Sequence, residues 1–181
     1  MRYLFISITL LGLFFIHPLQ AQRKAIRTTG DALFFVAPVT AFTMTLFKKD
    51  YEGTKQLVLS GATAVGLTYI LKYSISKERP DKSDDHSFPS AHSSISFTGA
   101  SFLQRRYGWK FGIPAYLLST YVAWSRVYGK KHDWWDVIGG AAIGTASSYI
   151  FTRPFARKHH FTFSPAILDG QHPGFYISIQ L

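Results

Sequence analysis

Apolar blocks that each end in a cluster of polar and charged residues constrain this chain most. Asp31 to Phe47, Lys55 to Tyr73, Ala91 to Leu103, Phe111 to Val127 and Trp134 to Phe151 follow one another, separated by short polar turns. Several approach the ~20 residues that a helix needs to cross hydrocarbon. Ala91 to Leu103 does so only if its helix continues into the polar flanks. Apolarity sustained over such lengths predicts helix rather than strand. Gly140-x-x-x-Gly144, in the last block, is a spacing that lets two helices approach closely. Charged residues are 17% of the chain, where a soluble domain carries roughly a quarter. The expected fold is therefore all-α: a membrane helical bundle of five transmembrane helices, or six if the N-terminal segment is retained.

That segment, residues 1–21, has a basic start at Arg2, an apolar run from Tyr3 to Ile16, then His17-Pro18 and a small residue at Ala21. This is the layout of a signal peptide cleaved after Ala21, and an uncleaved first membrane helix fits the same pattern. Residues 22–160 form the helical domain, beginning with a polar, basic connector from Gln22 to Gly30. Residues 161–181 are a tail in which apolar and polar residues alternate around Asp169-Gly170, the pattern of a short β-hairpin or amphipathic edge.

The formal net charge is +10. Such a balance suits nucleic acid, an anionic membrane surface or a phosphorylated substrate. No zinc spacing, RNA-binding aromatic motif or sustained basic helix is present, so no nucleic-acid partner is expected. The chain has no cysteine, which excludes disulfides and thiolate metal sites. The turns carrying Lys48/Lys49/Lys55, Arg105/Arg106/Lys110 and Arg153/Arg157/Lys158 should share one side, and cytoplasmic loops are rich in Lys and Arg. The remaining polar clusters then face the extracytoplasmic side of the inner membrane. Arg23-Lys24-Arg27 falls on the wrong side for this rule, a conflict that signal cleavage softens.

Those clusters carry the chemistry. Lys72 and Arg79 are seven apart and share a face if the helix continues; as a pair they are either a phosphate clamp or interfacial anchors. Ser90 precedes an apolar helix as a fitting N-cap, and the free N–H groups there, Ala91 included, form an anion site beside His92. His132 and Asp136, four apart, can set a carboxylate against one imidazole nitrogen and leave the other free to attack. A helix-start pair answering the dipole explains the same spacing. The surrounding cations, Arg126 among them, oppose a divalent metal.

Taken together, Lys72-x6-Arg79-Pro80, Pro89-Ser90-x-His92 and Ser125-Arg126-x5-His132-x3-Asp136 resemble the three signature motifs of the type 2 phosphatidic acid phosphatase and vanadium haloperoxidase superfamily. The resemblance runs from about Lys55 to Phe151. Ala91 departs from it, standing where the family often has glycine. It implies a metal-independent, cofactor-free membrane lipid phosphatase. In that mechanism His132 is the nucleophile that forms a phosphohistidine, Asp136 orients it, and His92 is the general acid. Lys72, Arg79, Ser90, Arg126 and the Ala91 amide hold the phosphate oxygens. The implied substrate is a lipid phosphate: undecaprenyl diphosphate, phosphatidic acid, phosphatidylglycerol phosphate or lipid A. The rivals are a periplasmic acid phosphatase acting on small esters, a vanadate-dependent halide oxidase, for which the chain is short, and a non-catalytic phospholipid-binding protein.

Overall fold

The computed structural model describes residues 20–155, 160–168 and 172–180. Helix α1 covers residues 20–33 and continues through a turn at residues 34–35 into α2, Val36–Phe47. Four more helices follow: α3 Tyr51–Ser74, α4 Ala91–Tyr107, α5 Trp109–Tyr128 and α6 Trp134–Phe151. Strands β1, His160–Leu168, and β2, His172–Gln180, pair antiparallel with His160 opposite Gln180. Nearly all of the expected signal peptide lies outside the described residues, as do Arg157, Lys158 and Asp169-Gly170.

Local chemistry explains the boundaries. Pro38 has no N–H to give the Phe34 carbonyl, so the first long helix breaks at residues 34–35 and resumes with Val39 N donating to Phe35 O at 2.9 Å. Asp50 caps α3 by accepting from Gly53 N at 2.9 Å. Gly108 alone separates α4 from α5; its φ of +91° and ψ of 176° belong to a region open essentially to glycine. Asp133 and Asp136 form a capping box at the start of α6.

One expectation changes, and two conditions are resolved. Residues 22–30 are helix, not a connector. The Ala91 block runs on through Gln104, Arg105, Arg106 and Tyr107 to the Gly108 turn, which makes a helix about 25 Å long at 1.5 Å per residue. Helix α3 ends at Ser74, so Arg79 does not share a helical face with Lys72.

Helix α4 is the central element and packs against α2, α3, α5 and α6. Its buried side is built from small residues, with Ser93, Ser94, Ser96, Gly99, Ala100 and Ser101 all inaccessible. A Cβ on Gly144 would sit 2.2 Å from Ser94 O, and one on Gly140 would sit 2.3 Å from Ser90 O. The two helices therefore meet backbone to backbone. Hydroxyls close the contact: Ser148 Oγ donates to Thr98 O at 2.7 Å, Ser119 Oγ to Ser96 O at 3.0 Å, and Thr68 Oγ1 to Ser94 Oγ at 2.9 Å.

The outside is apolar. Leu117 is 69% exposed and Ile150 72% exposed, with Val58, Ile70 and Ile138 also open. A soluble bundle buries such residues; here the small polar ones are inside. This inversion lowers the hydropathy of the buried helices. Among the described residues only the Gln20–Phe47 helix is long and apolar enough, by composition, to cross a membrane. Exposed aromatic residues gather at the two ends, Tyr73, Trp134 and Trp135 at one and Phe47, Tyr51 and Trp109 at the other. At that second end Arg106 donates to both Asp50 oxygens, through Nε at 2.8 Å, and to Arg153 O at 2.9 Å. The pair ties the α2–α3 turn and the segment after α6 to the foot of α4.

Candidate active site

Up-and-down connection brings the C-terminal ends of α3 and α5 and the N-terminal ends of α4 and α6 to one level. The loop between α3 and α4 folds over that level. Ser87 N donates to Lys77 O at 2.9 Å, Lys77 N to Asp85 O at 2.9 Å and Arg79 N to Asp84 O at 3.0 Å. These bonds return Arg79 toward the bundle. Its Nε donates to Asp84 Oδ1 at 2.7 Å, and Nη1 lies 3.5 Å from His132 Nε2. Lys131 reaches back to Asp81 at 2.6 Å; despite slight burial, that ammonium and the Ser83 hydroxyl bring the Asp81 carboxyl down to about 2.

Beneath the loop lies a cavity of about 500 Å³. Lys72, Arg79, Ala91, His92, Arg126 and His132 line it, so six of the eight residues singled out from sequence converge there. Arg27, Asp31, Tyr69, Asp84 and Lys131 complete the wall. Lys72 is buried and donates to His86 O at 2.7 Å.

The other two residues stand behind the wall. Ser90 is fully buried as the α4 cap, and its hydroxyl oxygen accepts from Ser93 N at 3.4 Å and Ser93 Oγ at 3.2 Å. Of the expected anion site at the start of α4, Ala91 is the residue that reaches the cavity. Asp136 is buried behind His132, with Oδ2 3.5 Å from His132 Nδ1. That separation is outside hydrogen-bond geometry, and among the described residues Nδ1 has no other partner. Burial, and then the Arg79 and Lys72 charges, hold the His132 imidazole below its ordinary value of 6.5 against the opposing pull of Asp136. The neutral imidazole is then favoured at neutral pH, with Nε2 toward the cavity beside Arg79 Nη1.

Asp136 is itself held by groups that carry no motif. Lys77 Nζ donates to Oδ1 at 2.7 Å, Asp133 N to Oδ2 at 3.0 Å, and the Ser87 hydroxyl donates to Oδ2 as well. Lys77 is partly buried, yet its bonds to Asp133 and Asp136 outweigh that burial and keep its ammonium above the usual lysine range. Arg126 is gripped in the same way by the first helix, Nη1 donating to Asp31 Oδ1 at 2.5 Å and Nη2 to Arg27 O at 2.6 Å. Sequence reasoning missed Asp31, Lys77 and Ser87. For Asp31 a signal existed: Arg27, Gly30, Asp31 and Phe34 recur at helical spacing.

A buried imidazole with a carboxylate behind it and cations beside it matches the needs of an anionic ester, and the family follows from the sequence match. The model of the PAP2 superfamily matches residues 53–160. The chain belongs to the PAP2 superfamily. The chain is similar to the lipid A 4'-phosphatase of Helicobacter pylori, 28% identical over 174 residues, which covers 87% of this chain and 85% of that protein. Two solved structures share the fold. The LpxE of Aquifex aeolicus aligns with a TM-score of 0.59 and 23% identity over 73% of this chain and 84% of that one. The PAP2-type phosphatidylglycerolphosphate phosphatase of Bacillus subtilis aligns with a TM-score of 0.56 and 26% identity over 74% of each. Asp31 and Arg27, which complete this PAP2 cavity, lie before the matched segment.

Proposed function

We propose that this membrane lipid phosphatase removes a phosphate monoester from an acylated sugar phosphate of the lipid A type. The observation that carries the reading is the cavity, where Lys72, Arg79 and Arg126 converge on His132 and His92 at one end of the bundle. Its volume accommodates a sugar phosphate, and Tyr69, Asp31 and Asp84 add groups that suit hydroxyls and an amide. A lipid A phosphatase similar over most of both chains supports that head group.

The mechanism assigns His132 Nε2 as the nucleophile. It attacks phosphorus, the P–O bond to the sugar breaks, and His92 gives its proton to the leaving oxygen. Asp136 stabilises the positive charge that develops on His132. Lys72, Arg79, Arg126 and the Ala91 amide neutralise the non-bridging oxygens, and stabilisation of this kind is usually the largest catalytic term. Water then attacks the phosphohistidine, gives its proton to His92, and phosphate leaves. Ser90 supports the start of α4 from behind the cavity.

The bundle spans the inner membrane with α2 to α6, and residues 20–33 extend α2 past the site. Arg106 and Arg153, at the end away from the cavity, support a cytoplasmic side for that end by the charge rule. The cavity then opens on the extracytoplasmic face. The test is phosphate release by detergent-purified protein, with chelator present, from lipid A, phosphatidylglycerol phosphate, undecaprenyl diphosphate and a small soluble ester. Fastest release from lipid A is expected. Preference for another lipid would overturn the head-group assignment, and activity on the soluble ester alone would overturn the lipid reading.

A further inference from the structure

Helix α1 contributes a wall to the cavity that no motif announces. Arg27, Gly30, Asp31 and Phe34 fall on one helical face. Gly30 lets this face touch the end of α5, since a Cβ there would sit 1.9 Å from Ser125 Oγ and 3.3 Å from Arg126 Nη2. Asp31 Oδ1 lies 3.0 Å from His92 Nε2 as well as 2.5 Å from Arg126 Nη1. The Phe34 ring covers the imidazole, with centroids 4.3 Å apart. His92 is thus fixed from one side by a carboxylate and a ring on successive turns of α1.

We propose that Asp31 is a positioning residue for His92, forming a second histidine–carboxylate pair across the cavity from His132 and Asp136. This inference rests on the phosphatase reading above. His92 must present a proton to the leaving oxygen, which requires the imidazolium form, and a carboxylate in contact compensates that charge. Asp31 also turns the Nε2–H into the cavity beside Arg126, where the phosphate is bound. When the ester enters, its leaving oxygen takes the place of Asp31 Oδ1 as acceptor. As the His132 N–P bond forms, the P–O bond breaks and its electron pair takes the Nε2 proton. In the second step the water that attacks phosphorus returns a proton to Nε2, and Asp31 accepts the N–H again. The charged groups that share the cavity with His92 are Asp31 and Arg27 from α1, Lys72 from α3, Arg79 and Asp84 from the α3–α4 loop, Arg126 from α5, and Lys131 and His132 before α6. Of the two carboxylates, Asp84 pairs with Arg79 and Asp31 contacts His92.

The discriminating variable is the leaving group. A sugar or glycerol oxygen needs the proton; a nitrophenolate does not. The experiment compares the parent with Asp31→Asn on lipid A and on a fatty-acylated nitrophenyl phosphate. Asp31→Asn should lose about 10- to 100-fold in kcat on lipid A and less than about threefold on the aryl ester, at or below the lower end of the roughly 10²–10⁴-fold that a general acid itself contributes, because Asp31 acts through His92. Asp31→Glu should recover most of the loss. Equal losses on both substrates would make Asp31 a structural residue and overturn the proposal, as would no loss on either. If Asp31→Asn does not fold, the aryl-to-alkyl rate ratio of Asp31→Glu, Asp31→Ser and the parent decides the same point: a constant ratio overturns it. Failure of the parent on both esters would instead sink the phosphatase reading.

Discussion

Lys77 Nζ lies 2.7 Å from Asp136 Oδ1 and 2.6 Å from Asp133 Oδ2, so one ammonium from the α3–α4 loop clamps the first turn of α6. The clamp fixes the carboxylate behind His132, and it does so from 59 residues away in the chain. Lys77→Met frees Asp136 on one side. The expected outcome is a kcat lower by about ten- to a hundredfold, the cost of small misplacements near the chemistry, with KM little changed. Lys77→Arg should keep more activity than Lys77→Met. Steady-state kinetics of the two variants check this, and equal activity in parent and Lys77→Met would remove the clamp from the mechanism.

Asp136→Asn removes the charge that compensates His132 while keeping the shape. By analogy with the carboxylate of a serine-protease triad, the loss in kcat should be on the order of 10³–10⁴. His132→Gln should abolish turnover but leave binding of vanadate, an anion that mimics phosphate, measurable by calorimetry. A loss under tenfold in Asp136→Asn would contradict the pairing.

The pH profile has a definite sign. In the proposed mechanism His132 attacks only when neutral, so its protonation would set the acid limb of kcat/KM for the free enzyme. Burial and the neighbouring cations lower its value from 6.5, so the neutral form persists to lower pH than for a free histidine. The acid limb should therefore have its midpoint below 6.5. A midpoint above 6.5 would show that Asp136 outweighs burial.

At the opposite end, Asp50 is 5% and Arg106 8% exposed, and each is the other's main partner. Arg106→Leu leaves a buried carboxylate uncompensated, at a cost of about 3–5 kcal/mol. Thermal unfolding in detergent should show a clear drop in Tm. Activity per folded molecule should stay near the parent, because the pair lies at the far end of the bundle from the cavity.

Helices α4 and α6 meet with no room for a side chain. Gly144→Val would drive methyl groups into Ser94 O and Thr98 N, which already sit 2.2 and 2.9 Å from an added Cβ. Backbone cannot yield as a flexible side chain can, so little folded protein should be recovered from the membrane fraction. Normal yield and activity would show that the helices can separate.

Much of this was legible in the chain. The apolar blocks gave α2 to α6 because long apolar runs have few ways to satisfy their backbone. The three motifs named the residues of the cavity because spacing along a helix end fixes which side chains share a level. The basic connector from Gln22 to Gly30 misled for a physical reason: its polarity marks a helix running past the apolar layer and along a charged site, not the absence of helix. Ser90 was legible as a cap, and capping is the role its hydroxyl takes.

What the sequence could not supply is the set of partners that meet across distance. Asp31 finds Arg126 across 95 residues, Lys77 finds Asp136 across 59 and Ser87 finds it across 49. No local periodicity encodes these pairs. Sequence alone determined the helices and which reactive groups stand at their ends, since both depend on neighbours within one or two turns. Beyond the local His132–Asp136 pair, only the tertiary packing decided which groups meet, Asp31 with His92 and Lys77 with Asp136, because that depends on how closely glycine and serine let separate helices approach.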